Sequence, residues 1–209
     1  YCLPALGDIM ASSEVEIMNR ALVACGVSMI TSATEDTQEA RVAALQYPNA
    51  RDTVLQAHPW QEAIKRTSLA QLATAPDFGF SYRFALPTDF LRLIDLEAVE
   101  SAFEIENGEL LIDDSAVNII YIHKLTSVPK MKPGLQEAIA ARLAFEICMP
   151  LTRDPERSTA LFEVYGYKVS EARFVNAAGG PDRRLEARGW VQGRYTGGVN
   201  ETFRKISAS

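Results

Sequence analysis

Residues 39–66, EARVAALQYPNARDTVLQAHPWQEAIKR, constrain the fold more than any other stretch of the chain. Ala40, Ala43, Ala44, Tyr47, Val54 and Leu55 fall on one face at helical spacing. Pro48 sits inside that pattern. It removes a backbone donor and crowds the preceding turn, so a kink is expected near Tyr47, with the helix staying in phase beyond it. Pro59 then drives His58 out of the helical region and ends the element. From Trp60 the period changes, and residues 63–72 read as extended. A long helix must therefore hand over to a β region within a few residues.

Other helices flank this junction. Ser13 with Glu16 forms a capping box; Val15, Met18, Ala21, Leu22 and Cys25 share a face, and Gly26 supplies a left-handed stop. Residues 34–36 offer caps for the next helix. Pro133-Gly134 opens a third helix with Leu135, Ile139, Leu143 and Ile147 in one row, and Pro150 marks its end. Asp154-Pro155 opens a fourth, whose expected core stripe is Leu161, Val164, Tyr165, Val169, Ala172 and Val175.

Between the helix pairs the signals are extended. Residues 74–81 are a loop by composition, 83–86 a strand, and Pro87-Thr88-Asp89 a turn. Phe90, Leu91, Leu93, Ile94 and Leu96 read as a strand buried on both faces. Residues 103–106 and 109–112 flank Asn107-Gly108, a pair suited to the tight primed turn of a hairpin. Residues 117–123 form another strand, rich in β-branched side chains. The fold class expected is α+β: a four-helix bundle with an inserted, mainly antiparallel β region and an extended C-terminal arm. Its domain is residues 1–176, with helices over 12–58 and 133–176 and the β region over 60–125; the arm is 177–209.

That arm holds six of the 12 glycines, six basic and three acidic residues, in a chain of net charge −6. The remainder is thus more acidic than the whole. Trp190, Tyr195 and Phe203 make the arm too aromatic for a solvated linker, so it reads as a segment that orders on a partner. Arg183, Arg184, Arg188 and Arg194 around Trp190 could suggest nucleic acid, but the rest of the chain is acidic and the run is not dense, so an acidic protein neighbour or subunit explains the charge split at least as well.

Chemistry is sparsely signalled. Cys2, Cys25 and Cys148 are far apart with no CxxC, so reduced thiols are expected and neither zinc nor a disulfide framework. Only His58 and His123 are present, in no metal-binding pattern. Gly179-Gly180 and Gly197-Gly198 do not lie between a strand and a helix, and no phosphate-loop motif exists, so no cofactor is expected. Glu104, Glu106, Glu109, Asp113 and Asp114 cluster near the hairpin. They read as a solvated face, with a glycan hydrolase using Glu104, Glu106 or Asp113 as the alternative. No apolar run is long enough for a membrane span, and residues 1–11 lack the basic start of a signal peptide, so assembly in a cytoplasm is expected.

Several ordered pieces carry a resemblance. They are Glu16-Ile17-Met18-Asn19-Arg20-Ala21-Leu22 with Gly26-Val27 and Ile30-Thr31-Ser32, then the block at 39–66 with Tyr47-Pro48, Arg51-Asp52 and His58-Pro59-Trp60. Phe84-Ala85-Leu86-Pro87-Thr88-Asp89-Phe90-Leu91-Arg92-Leu93, Ile119-Ile120-Tyr121-Ile122, and Ala138-Ile139-Ala140-Ala141-Arg142-Leu143-Ala144 before Pro150-Leu151-Thr152 complete the series. Over roughly 14–176 this order resembles the tail tubular protein A family, head-to-tail adaptors of short-tailed bacteriophages. The resemblance implies a structural protein of the virion neck without catalytic residues. It implies a homo-oligomeric ring, a dodecamer, between the portal protein and the tail nozzle protein, with double-stranded genomic DNA passing through unbound. The arm residues Arg183, Arg184, Arg188, Trp190, Arg194, Tyr195 and Phe203 are then candidates for a portal or neighbour-subunit contact. Phe103, Glu104, Asn107, Gly108 and Glu109 are candidates for a nozzle or neighbour-subunit contact. An oligomeric interaction module outside viruses is a further reading.

Overall fold

The computed structural model describes residues 13–97 and 101–178. Helix α1 (Glu14–Cys25) is capped by Ser13, whose hydroxyl accepts from the Glu16 N–H at 3.2 Å. The reciprocal half of the expected box is not made, because the Glu16 carboxylate pairs with Arg20 one turn on, at 2.5 Å. Gly26 ends the helix at φ 74°, and Arg157 from the start of the last helix donates to the Cys25 carbonyl at 2.6 Å.

Helix α2 (Gln38–Ala57) begins one residue later than the expected caps: the Thr37 hydroxyl accepts from Ala40 N–H. The helix runs unbroken through Pro48, which lies on its exposed side. Ala40, Ala43, Tyr47, Ala50, Val54 and Leu55 are buried. A short 3-10 turn, Gln61–Ala63, delays the strand that was expected from residue 63.

Six strands follow: β1 (Ile64–Ser68), β2 (Tyr82–Ala85), β3 (Phe90–Glu97), β4 (Phe103–Glu106), β5 (Glu109–Ile112) and β6 (Asn118–His123). They form two three-stranded antiparallel sheets, ordered β1-β6-β3 and β2-β5-β4. Helices α3 (Pro133–Thr152) and α4 (Pro155–Ala178) complete the described chain, so the fold is α+β with the β region between α2 and α3.

Strand β6 organises the layers. Ile122 packs into the helical core, whereas Ile119 and Tyr121 on the opposite face pack with Phe84, Leu110 and Ile112 of the second sheet. The first sheet therefore lies between the helices and the second sheet.

Strand β3 departs from expectation. It is a half-buried edge strand, not one buried on both faces. Register shifts at Leu91 and Ile94 insert two extra residues against β6. They turn the two-residue alternation into a three-residue one: Phe90, Leu93 and Leu96 reach the inter-sheet core, while Leu91 and Ile94 reach the helical core.

Helix α3 touches α1, α2 and α4, and Leu135, Ile139, Leu143 and Ile147 are all essentially inaccessible. It continues two residues past Pro150 and closes at Arg153, which is left-handed at φ 56°. A proline in the last turn removes one bond to the Glu146 carbonyl and leaves the following residues free to stay helical. A Cβ at Gly134 would stand 3.3 Å from the Ala172 Cβ, so glycine lets α4 approach α3 closely.

Helix α4 corrects the expected stripe. Leu161, Val169 and Ala172 are buried, but Val164 and Val175 are exposed. The helix is apolar on several sides, so its period does not select a face. It also carries two residues into the expected arm. The rest of that arm, with Arg183, Arg184, Arg188, Trp190, Arg194, Tyr195 and Phe203, lies outside the described residues.

Candidate functional site

The His58-Pro59-Trp60 corner is a lock between three elements. His58 is extended at φ −152° and ψ 149°, as Pro59 requires. That swings Trp60 back under α2, where its indole N–H donates to the Val54 carbonyl at 2.8 Å. This carbonyl belongs to the last turn of α2 and has no partner along the helix. The His58 ring meets Trp60 edge-on, with centroids 4.9 Å apart.

The far end of α4 closes the corner. The buried Asn176 side chain accepts from the Gln61 backbone N–H at 3.2 Å, and the Gln61 amide donates to the Asn176 carbonyl at 2.9 Å. Arg173 donates to the Ala57 carbonyl at 3.1 Å. Because the Asn176 oxygen must face the Gln61 N–H, its NH2 faces His58 Nε2 at 3.1 Å. His58 Nε2 is thus an acceptor, and the ring is neutral. Burial, then the charges of Arg173 and Arg92, hold its pKa below the ordinary 6.5.

A pH dependence follows. The folded pKa lies below the unfolded one, so stability from neutral His58 is complete above about pH 6.5 and is lost as the pH falls through that window toward the folded value. His58→Gln keeps an acceptor but cannot titrate. Unfolding curves across mildly acidic pH should show the parent losing stability relative to His58→Gln. Parallel curves would remove His58 from the account.

The remaining marks of the 39–66 block are also architectural. Arg51 is 6% exposed; its Nε donates to Asp52 at 2.8 Å, and the other Asp52 oxygen meets Lys124 beyond β6 at 3.0 Å. Asp89, in the Leu-Pro-Thr-Asp turn, accepts from Tyr121 at 3.0 Å and from Lys65 at 2.7 Å. Burial works against its charge, but these two donors outweigh it and keep the carboxyl below its usual range.

The hairpin has the expected turn, with Asn107 at φ 48° and Gly108 at φ 76°. Strand β4 is exposed along its whole length, so Phe103 and Glu104 stand at an open sheet edge. Glu109 differs: it is half-buried and pairs with Arg83 within its own sheet at 3.4 Å. Among the other acids, Asp113 accepts from the Ser81 N–H and hydroxyl at 2.8 and 2.9 Å, at the base of the hairpin. Among the described residues no group of three or more metal-ligating side chains converges, and no helix is long and apolar enough to cross a membrane.

One surface had no sequence signal of its own. Along α4, Tyr167 is 69% exposed and Phe174 77% exposed, seven residues apart and so on one side of the helix. Val164 and Val175 flank them, also exposed. Asn176 was likewise unforeseen, since a lone asparagine near a helix end has no pattern to mark it. No protein-family model matches the chain, and no curated protein matches it.

Proposed function

We propose that this chain is a structural head-to-tail adaptor of a bacteriophage, a subunit of a ring that joins portal to tail nozzle and lets genomic DNA pass. The outward face of α4 carries the reading. Tyr167 and Phe174 expose large apolar surface on a helix whose other side is well packed, as expected of a subunit that buries that face against a neighbour. A closed ring needs two different surfaces per subunit, and the open β4 edge lies on a separate element from α4. The helices act as a four-helix bundle, the hairpin meets the nozzle or a neighbour, and the basic arm from 177 onward reaches the portal or the next subunit. A chain of net charge −6 suits a channel that DNA slides through.

The test is native mass, alone and with a portal protein. The adaptor reading expects a ring-sized species in at least the mixture. It expects Tyr167→Glu with Phe174→Glu to abolish that species at unchanged helicity, and removal of residues 178–209 to weaken portal binding. A monomer in both samples would sink the proposal; unchanged assembly after the deletion would remove the arm from it.

A further inference from the structure

The inter-sheet core stops one strand short. In the hairpin, Phe103 faces Ile112 and Ile105 faces Leu110 across the ladder, so all four point to the same side. Leu110 and Ile112 are fully buried there, yet Phe103 is 42% and Ile105 41% exposed. Beyond them lies an open cleft of about 560 Å³, walled by Phe90 to Asp95 of β3 and floored by Phe103 and Ile105. Both walls are edge strands, one of each sheet.

The backbone of β4 is unpaired along the same edge. A two-residue turn is closed by a hydrogen-bonded pair, here Glu106 and Glu109. Alternation then directs the Glu104 and Glu106 backbone groups to β5. It turns those of Phe103 and Ile105 outward, along the edge that floors the cleft. The free edge of β3 is interrupted by its two bulges; β4 has none.

We propose that β4 accepts an added strand: an extended partner segment in which apolar residues alternate with basic ones. The alternation follows from the two rows that β4 presents. Side chains beside Phe103 and Ile105 enter the cleft and complete the core, so they are apolar. Those beside Glu104 and Glu106 lie on the outer face, where neither glutamate has an ion-pair partner among the described residues, so they are basic. A second copy of β4 fits poorly. Antiparallel pairing of the two outward-facing residues, Phe103 opposite Ile105, sets Glu104 against Glu104 at the closest kind of cross-strand contact. The inference deepens the hairpin part of the adaptor reading and rests on it only for where such a partner is met.

The test uses the full chain and a labelled short peptide alternating valine and lysine, read by fluorescence anisotropy. Saturable binding is expected. N-methylation of the peptide on alternate residues should weaken it by about tenfold or more, since two backbone bonds are lost. Ile105→Pro should do the same, because it removes an outward N–H and spares the ladder to β5. Glu104→Lys with Glu106→Lys should transfer preference to a valine–glutamate peptide. Absence of binding, or binding that survives N-methylation, overturns the proposal even if Ile105→Pro fails to fold. So does equal binding of a peptide whose lysines are acetylated, which would show that pairing with Glu104 and Glu106 contributes nothing. Self-association of the free chain that Ile105→Pro abolishes would assign the edge to a second copy instead. Ring assembly is measured without peptide, so failure of the adaptor reading and failure of strand addition give different results.

Discussion

Trp60→Ala should lower the unfolding free energy by about 3–5 kcal/mol, the range for removing a buried aromatic side chain. Trp60 heads the largest fully buried side chains, at 1% exposure. Three losses coincide at this position. The indole leaves a void between α2 and the first strand, the Val54 carbonyl loses its donor, and His58 loses the ring it rests on. The void cannot collapse easily, because Asn176 and Arg173 pin α4 to the same corner. Trp60→Phe separates the terms. It retains most of the apolar volume and strands the carbonyl, so it should cost about 1–3 kcal/mol. Urea unfolding of the two variants decides the matter. A loss below about 1 kcal/mol for the alanine variant would mean that the corner relaxes, and that the His-Pro-Trp stop is only a local turn.

The fold is legible in the sequence where one residue's covalent nature sets the backbone. Ser13, Gly26, Asn107, Gly108 and Pro59 each act within a few residues of themselves, and their caps, turns and stops are where expected. The fold is less legible where geometry arises between distant segments. The run from Phe90 to Leu96 is apolar enough to suggest burial on both faces, whereas it is a half-buried edge strand whose side chains reach two cores. That outcome comes from two bulges against β6, and no local signal encodes a bulge that a partner strand imposes. The division of six strands into two sheets depends on which strand lies beside β6, again a long-range choice. Helix α4 illustrates a different limit. Its apolar residues occupy more than one face, so the spacing alone does not show that Val164 and Val175, like Tyr167 and Phe174, stand exposed. An apolar residue kept for a partner and one kept for the interior are the same letter; only burial in the folded chain separates them. The acids near the hairpin were legible as a solvent face at Glu104 and Glu106, but the Arg83 partner of Glu109 was not.

Leu143→Ala should cost about 2–5 kcal/mol, the range for truncating a leucine in a packed core. Leu143 is fully buried, in a row with Leu135, Ile139 and Ile147 on α3. Because α3 packs more extensively against the other three helices than any of them do against one another, a void there is bordered by elements tied elsewhere. Cys25 donates to the Ala144 carbonyl at 3.3 Å, and Arg157 holds the end of α1, so α1 cannot slide in to fill the space. The value of this variant lies in comparison with Tyr167→Ala. Tyr167 is exposed, and its truncation should move the unfolding free energy by no more than about 0.5 kcal/mol. Leu143→Ala should therefore reduce assembly only through the fraction of chain it unfolds, and a stabilising osmolyte should restore assembly. Tyr167→Ala should reduce assembly at unchanged stability, and the osmolyte should not restore it. If both variants instead lose assembly in proportion to stability, the outward face of α4 is part of the folding unit and the neighbour contact must lie elsewhere.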